Sequence, residues 1–244
     1  MKIGLFIPCY VDQFYPQVAI ATLSLLNKLG VEVVYPLNQT CCGQPMANAG
    51  YASAGKKSAQ LFVDNFKKFD YIVSPSGSCV LHVKEHFTYA ESSILTDKVR
   101  NSVYELSEFL VDVLHVEQLD ASFPFRVGYH ASCHGLRGLH LGPPSELNHS
   151  VPSKPHALLK LVKGIELAEL TRPDECCGFG GTFAVSEPAI SVKMGRDRIK
   201  DHQQHGVEVI TGGDVSCLMH LEGLLKRQKS AIRVMHLAEI LNHT

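Results

Sequence analysis

The sequence has no excess of charge of either sign and no long run of like charges. It carries 23 lysines and arginines against 24 aspartates and glutamates among its 244 residues. Proteins that bind nucleic acid or an anionic membrane surface typically show a basic surplus, because phosphate groups are negatively charged. We therefore predict that neither nucleic acid nor an anionic membrane is the main partner.

Long apolar runs are also missing, since no stretch approaches the roughly 20 residues that would span a bilayer. The N-terminal segment "MKIGLFIPCYVDQ" has one lysine and an apolar run too short for a signal peptide, and it alternates like a strand. With 45% hydrophobic and 19% charged residues, the composition is that of an ordinary globular protein. We expect a soluble, cytoplasmic protein.

Cysteine, in contrast, is abundant, with eight residues in the chain. In a reducing cytosol, thiols kept in such number are more often metal-binding or redox-active than paired in disulfides. Two pairs of cysteines are adjacent in the chain, in "NQTCCGQP" (38–45) and "PDECCGFGG" (173–181), and glycines cluster around them.

The sequence repeats itself, and the cysteines occur in the same order in both copies. Four pairs of segments align: "KIGLFIPC" (2–9) with "RVGYHASC" (126–133), "VEVVYPLNQTCCG" (31–43) with "GIELAELTRPDECCG" (164–178), "DYIVSPSGSCVLHV" (70–83) with "VEVITGGDVSCLMHL" (207–221), and "VYELSEFL" (103–110) with "VMHLAEIL" (234–241). The ordered cysteines indicate a duplication. We predict two half-domains, 1–122 and 123–244.

Each half alternates short apolar strands with helical patterns. The first predicted helix has Pro16 near its start and stops at Gly30, and one of its faces carries Val18, Ala21, Leu25, Leu26 and Leu29. Further helices are predicted in "GYASAGKKSAQLFVDNFKKF" (50–69) and in its counterpart "SEPAISVKMGRDRIKDHQQHG" (186–206). Alternating strands and helices favour parallel sheets. The predicted fold class is therefore α/β, with two pseudo-symmetric, Rossmann-like half-domains.

The cysteines follow the predicted strands. Cys9, Cys79, Cys133 and Cys217 lie at or just past strand ends, and the two adjacent pairs lie a few residues beyond theirs. Because the carboxyl ends of parallel strands converge on one crevice, the fold can gather thiols that the sequence separates. We predict one four-thiol site in each half, which gives two sets: Cys9, Cys41, Cys42 and Cys79, and Cys133, Cys176, Cys177 and Cys217.

Soft thiolate donors of this kind select zinc, copper(I) or iron–sulfur clusters. The spacings are too long for a zinc finger or a ferredoxin-type run. Glycines beside the pairs let the backbone approach a bulky group and direct amide hydrogens at its sulfurs; these candidate cofactor-binding residues are Gly43, Gly178, Gly180 and Gly181. Iron–sulfur binding is favoured, while structural zinc, a vicinal disulfide and a thiol–disulfide catalyst remain alternatives.

Other motifs carry weaker signals. The glycines of "CCGFGGTF" do not have the dinucleotide-binding spacing, so cluster binding or a tight turn is favoured. His130, His134 and Arg137 surround Cys133, and we assign them supporting or surface roles; no residues form a convincing catalytic acid–base pair. The segment 140–156 carries four prolines and is predicted to be an inserted loop and a contact surface for partners.

The twice-repeated Cys…Cys-Cys-Gly…Cys pattern resembles the cysteine-rich CCG domain family, which includes the cysteine-rich component of heterodisulfide reductase and the iron–sulfur component of glycolate oxidase. Within it, "IGLFIPCYVDQFYPQVAIATLSLLNKLG" and "CCGFGGTFAV" are most similar to the lactate utilization group, and the resemblance covers essentially the whole chain. It implies an oxidoreductase subunit of a three-protein complex that oxidises L-lactate to pyruvate. It also implies that the eight cysteines hold one or two iron–sulfur clusters of the [4Fe–4S] type, with the other subunits, including a ferredoxin-like one, as partners.

One motif departs from that resemblance. Heterodisulfide reductase has Cys-x-x-Cys as the third element, whereas this chain has histidine in the last place, at His82 and His220. These histidines are possible iron ligands, as in Rieske centres, or hydrogen-bond donors to a cluster, or packing residues. The departure weakens the transfer of that enzyme's cluster geometry and disulfide chemistry. A thiol–disulfide redox protein of that kind and a zinc-binding scaffold are the alternative functions.

Overall fold

Two parallel four-stranded sheets organise the computed structural model, which describes residues 1–87, 94–147 and 152–244. The strands of the first sheet are β1 (Ile3–Leu5), β2 (Val33–Val34), β3 (Tyr71–Ser74) and β4 (Val103–Glu105). Those of the second are β5 (Arg126–Tyr129), β6 (Glu166–Leu167), β7 (Val209–Gly212) and β8 (Arg233–His236). The orders β2-β1-β3-β4 and β6-β5-β7-β8 are equivalent. The predicted α/β class and the two pseudo-symmetric halves are confirmed, while the boundary between residues 122 and 123 stays a prediction.

Helices connect the strands in both halves. In the first half they are α1 (Cys9–Phe14), α2 (Pro16–Lys28), α3 (Gln44–Asn48), α4 (Lys56–Phe66), α5 (Gly77–His86), α6 (Ile94–Ser102) and α7 (Leu106–Glu108). In the second half they are α8 (Lys154–Leu159), α9 (Phe183–Ser186), α10 (Pro188–Gln204), α11 (Val215–Arg227) and α12 (Leu237–Leu241). The described residues also form two π-helical turns, Phe109–Val113 and His134–Gly138. None of the described helices combines the length and the apolar character that a membrane crossing requires.

The helix predictions hold with local corrections. The first long helix begins at Pro16 and is followed by Gly30 with a φ of 75°, as the sequence predicts. The helix predicted from Gly50 begins only at Lys56, because Ala52–Gly55 forms a 3₁₀ turn. The helix predicted from Ser186 begins at Pro188, since proline suits the first helical position, and Ser186 instead ends the short helix α9. The described parts of the loop predicted at 140–156 lack regular structure until α8 begins, and 148–151 lie outside the described residues.

The hydrophobic core has a shared centre and two outer lobes. The central cluster joins the halves, combining side chains of both sheets with those of α2, α8 and α12. One outer lobe lies mainly in the first half and is rich in phenylalanine, including Phe6, Phe62 and Phe66. The other belongs to the second half and is mainly aliphatic, with Ile199 and Leu221. The shared centre fixes one half against the other, so their strand ends keep a defined relative position.

Where β3 and β7 end, the two halves also meet through hydrogen bonds. The Gly77 N–H donates to the Gly213 carbonyl over 3.2 Å. The backbone N–H and the hydroxyl of Ser78 each donate to the Asp214 carboxylate over 2.8 Å, and Asp214 is only 2% exposed. We name this contact between Ser78 and Asp214 the strand-end clasp. It holds the first turns of α5 and α11 side by side.

Buried neutral histidines make the stability of this fold sensitive to acid. His202 on α10 is fully buried, and burial lowers its pKa from the ordinary 6.5 to about 2. Below pH 6.5 the unfolded chain binds a proton at this residue that the folded chain does not, so stability is lost as the pH falls. We expect His202 to make the protein about 2 kcal/mol less stable at pH 5 than at pH 7.

Urea unfolding at both pH values, in wild type and in His202→Phe, measures this contribution. Phenylalanine suits the site, because Phe66 occupies the equivalent place in the first half, against Gly4 as His202 lies against Gly128. The variant should lose about 2 kcal/mol less on acidification than wild type. The exposed His140, changed to asparagine, serves as the control. An acid response that is equal in wild type and His202→Phe contradicts the prediction.

Candidate metal centre

Four of the cysteines lie in the segments that leave the central strands. Cys9 opens α1 just after β1, and Cys133 precedes the π-helical turn just after β5. Cys79 and Cys217 lie in the first turns of α5 and α11, just after β3 and β7. Since β1 pairs with β3 and β5 with β7, each sheet brings two of these thiols to its carboxyl edge. Only a few residues separate each of these cysteines from the end of its strand, so the thiols stay at this edge of the sheet.

The adjacent cysteine pairs are held by a turn that only glycine adopts without strain. Gly43 and Gly178 follow the pairs with φ angles of 89° and 87°. In this turn the Gly43 N–H donates to Cys41 Sγ over 3.4 Å, and the Gly178 N–H donates to Cys176 Sγ over 3.3 Å. The two motifs have therefore the same local geometry, with an amide hydrogen directed at a sulfur in each half.

All eight cysteines line one cavity of about 490 Å³. Gly180 and Gly181 also line it, and both have positive φ angles. Ser78 and Asp214 of the strand-end clasp lie in the same cavity. The thiols that the sequence separates are thus brought together. Moreover, both predicted sets open into a common space, which the sequence analysis does not foresee.

The thiols within each set form hydrogen bonds with one another. Cys9 Sγ lies 3.7 Å from Cys41 Sγ. Hydrogen bonds from Cys42 and Cys9 lower the pKa of the Cys41 thiol far below its usual range, and the bond to Cys41 raises the pKa of Cys9. The second half repeats this pattern: hydrogen bonds from Cys133 and Cys177 lower the pKa of the Cys176 thiol. The cysteines of each set are therefore close enough to hydrogen-bond to one another, and a bound cation would displace their remaining protons.

The two histidines of the sequence motif have different surroundings. His82 is 1% exposed, burial lowers its pKa to about 4, and its ring meets Phe87 edge-on at 5.8 Å. His220 is half-buried, and its Nε2 lies 3.3 Å from the Ser191 carbonyl oxygen. This hydrogen bond occupies Nε2 of His220, so Nδ1 is the nitrogen that a metal could use. Metal ligation by either histidine stays a prediction.

His130 is a further residue of the site. It is 2% exposed, and one of its ring nitrogens and the sulfurs of Cys177 and Cys217 all lie within 4.8 Å of one another. The sequence predicts only a supporting or surface role for His130. Its position at the end of a strand, close to Cys133, could nevertheless have indicated that it belongs to the site. Of its neighbours, His134 lines the cavity, and Arg137 lies at the surface with Nη2 3.0 Å from Asp174.

The donor set suits a thiolate-bound iron–sulfur centre. Each half supplies four soft sulfur donors, and backbone N–H groups point at two of the sulfurs in the second half, at Cys176 and Cys177. Amide donors of this kind stabilise the negative charge of such a centre. The cavity has room for a group larger than a single ion.

The sequence model of the cysteine-rich domain, CCG, matches residues 3–84 and 127–222, one match in each half. Lactate utilization protein A of Halalkalibacterium halodurans is 40% identical over 247 residues, which cover 100% of this chain and 97% of that protein. Lactate utilization protein A of Bacillus subtilis is 39% identical over 246 residues, with 99% of both chains covered. The chain belongs to the lactate utilization protein A family. The predicted resemblance is thereby confirmed.

A solved structure has the same fold. The crystal structure of a hypothetical protein from Helicobacter pylori superposes with a TM-score of 0.61 at 14% sequence identity. The match covers 98% of this chain but 48% of that one, so this member of the lactate utilization protein A family spans about half the length of its structural neighbour. At this identity the likeness concerns the fold alone.

The turn after the second cysteine pair leads to a test of its geometry. A Cβ at Gly178 would lie 2.5 Å from the Ser191 carbonyl oxygen and 2.8 Å from Met194 Cβ. Gly178→Ala should lower the free energy of unfolding by roughly 2–3 kcal/mol, of which about 1–2 kcal/mol is the cost of the left-handed backbone. Gly50→Ala is the matched control, because Gly50 has a φ of 85° and no atom within 4 Å of the added Cβ. Urea titration of both variants separates crowding from backbone strain, and equal losses would show that Gly178 is not crowded.

Proposed function

We propose that this chain is the iron–sulfur, electron-transferring subunit of a cytoplasmic complex that oxidises L-lactate to pyruvate. The single observation that carries the proposal is the common cavity, onto which all eight repeated cysteines open. The cysteines are the proposed ligands of one or two clusters of the [4Fe–4S] type. The names of the relatives speak of lactate utilization, and the proposal extends that role to this chain.

The contributions of the chain follow from its own groups. The thiolates bind iron, and a bound cluster supplies one-electron transfer. The N–H groups of Gly43, Gly178 and Phe179 donate to cysteine sulfurs and favour the negatively charged state. Gly180 and Gly181 let the backbone come close to the bound group.

The removal of hydrogen from lactate is assigned to a partner subunit. Asp214 is the carboxylate in the cavity, and it already accepts hydrogen bonds from the N–H and the hydroxyl of Ser78 and from the hydroxyl of Ser76. Hydrogen bonds therefore occupy both oxygens of this carboxylate. Oxidation of lactate to pyruvate releases two electrons and two protons, and the cysteines would hold the iron–sulfur group that supplies one-electron acceptor chemistry.

Anaerobic purification followed by iron, sulfide and visible-spectrum measurements tests the proposal. We expect a brown protein with broad absorption near roughly 400 nm, from charge transfer between thiolate or sulfide and iron. A colourless protein that holds stoichiometric zinc after anaerobic reconstitution would refute it.

The close pair of Cys9 and Cys41 favours a second candidate, a thiol–disulfide redox protein. In that case two thiols should disappear reversibly on mild oxidation, in a protein that contains no iron. Counting free thiols in the denatured protein, before and after reduction, separates the two functions.

A further inference from the structure

The two cysteine sets differ at one position of the repeat. The alignment that places Cys9 on Cys133 places Phe6 on His130. The backbone confirms this equivalence, because Phe6 N–H donates to the Val73 carbonyl over 2.9 Å and His130 N–H donates to the Thr211 carbonyl over 2.7 Å. Both donations cross to the neighbouring strand just beyond the end of their own. Both side chains are buried, with Phe6 0% and His130 2% exposed.

In the first half, the surroundings of Phe6 are aromatic. Its ring centroid lies 4.8 Å from that of Phe62 and 6.0 Å from that of Phe66, both on α4. A Cβ placed on Gly4 of β1 would touch Phe66. The group behind the first cysteine set is thus apolar, and none of the three side chains can donate to or bind a metal.

In the second half, nitrogen-containing side chains stand at the positions equivalent to these phenylalanines. A Cβ placed on Gly128 of β5 would touch His202, which therefore corresponds to Phe66. One helical turn earlier, Arg198 stands where α4 has Phe62. Arg198 is fully buried, forms an ion pair with Asp201 and donates to the Tyr129 carbonyl over 3.4 Å. The second cysteine set thus has a buried polar cluster behind it.

His130 has an unused nitrogen in this setting. Its Nδ1 is buried and has no hydrogen-bond partner. Buried polar atoms are rarely left unpaired, and those that are need an explanation. The ring lies against Cys177 and Cys217, with a nitrogen and both sulfurs within 4.8 Å of one another.

We propose that His130 is a nitrogen donor to the metal centre of the second cysteine set, where with Cys177 and Cys217 it forms a mixed sulfur–nitrogen site. The first set has no counterpart, because Phe6 offers no lone pair. Sulfur and imidazole together suit zinc, cobalt and iron. The inference rests on the proposed function only in so far as the second set binds a metal. It makes the two sites chemically unequal despite their common origin.

Cobalt(II) binding to the second set alone tests the proposal. Changing both Cys41 and Cys42 to serine leaves that set as the complete one, and anaerobic titration with Co²⁺ then gives an affinity and a ligand-field spectrum. We expect His130→Phe in this background to weaken Co²⁺ binding by more than about 100-fold, beyond the loss that removal of a supporting group brings, and to shift the d–d bands. Pulsed electron paramagnetic resonance should show nitrogen coupling that disappears in the variant.

His202→Phe is the matched control, since it makes the same substitution in the same cluster but not at the sulfurs. It should leave the Co²⁺ affinity within about threefold, below the loss that removal of a supporting group brings. Urea unfolding of the metal-free variants checks that both are folded. The proposal is overturned if His130→Phe binds Co²⁺ with unchanged affinity and spectrum, or if the second set binds no Co²⁺ at all.

These outcomes are independent of the test of the proposed function. A protein that assembles iron and sulfide but shows no nitrogen coupling refutes the role of His130 and leaves the iron–sulfur function standing. A protein that binds Co²⁺ through His130 but never assembles iron and sulfide refutes the iron–sulfur function and leaves the nitrogen donor standing.

Discussion

Cys177→Ser is expected to remove about half of the iron from the reconstituted protein, and Cys42→Ser the other half. Each of these cysteines is almost completely buried, with 1% and 2% exposure, and each belongs to a different set. Serine keeps the size of the side chain but is a poor ligand for iron at neutral pH, because its hydroxyl holds its proton. Iron and sulfide analysis of both single variants and of the double variant measures the effect. The double variant should hold almost none.

The pattern of losses discriminates between one cluster and two. If a single cluster bridged the sets, either substitution alone would remove nearly all of the iron rather than half. Ser186→Ala, which changes a hydroxyl at the end of α9 outside the cavity lining, is the control and should retain the full amount. Thermal unfolding of each metal-free protein shows whether a loss of iron reflects a lost ligand or a lost fold.

Arg198→Leu is expected to lower the free energy of unfolding by about 3–5 kcal/mol, because it leaves the buried carboxylate of Asp201 without its ion partner. The two side chains are 0% and 1% exposed, and Arg198 Nη1 lies 3.1 Å from Asp201 Oδ2. Arg198 also donates to the Arg172 carbonyl, in the loop that leads to Cys176. Loss of this anchor should therefore weaken metal binding by the second set more than by the first.

Two comparisons define the cause. Arg172→Leu removes a surface arginine whose side chain is 50% exposed and pairs with Glu175, so it should cost less than about 1 kcal/mol. Adding Asp201→Asn to Arg198→Leu removes the unpaired charge and should restore part of the stability. Urea unfolding of the three variants at pH 7 provides the values. If the double variant is no more stable than Arg198→Leu, the loss comes from packing and not from the unpaired carboxylate.

Much of the fold could be predicted because the relevant signals are local. Short apolar strands, helical periodicity and glycine stops specify each half, and the repeat shows that both halves follow one plan. The turn after each cysteine pair could also be anticipated, since Gly43 and Gly178 have the positive φ that glycine permits. Corrections are needed where the chemistry is subtle, as at Ala52–Gly55, where a 3₁₀ turn delays the helix.

The common cavity could not be predicted, because it depends on how the halves pack. That arrangement is set by the shared hydrophobic centre and by the strand-end clasp, which join residues more than a hundred positions apart. His130 shows the same limit. Its nitrogen can be recognised as a possible ligand only from its proximity to Cys177 and Cys217, which follow two other strands of the sheet. Comparison of the two halves does not indicate a role for His130, because its counterpart Phe6 is an ordinary core side chain.

The strand-end clasp has a mechanical consequence. Ser78 directly precedes Cys79, and Asp214 directly precedes the helix whose first turn contains Cys217. Two hydrogen bonds of 2.8 Å therefore connect one thiol of each set through very little chain. The halves cannot hinge apart at this edge without moving both thiols. Ordering of one set by a bound group therefore stiffens the other in advance. At limiting iron, loading of the two sites should be cooperative, with the second assembled at lower entropic cost than the first. Saturating reconstitution should still fill the intact set of each single cysteine variant.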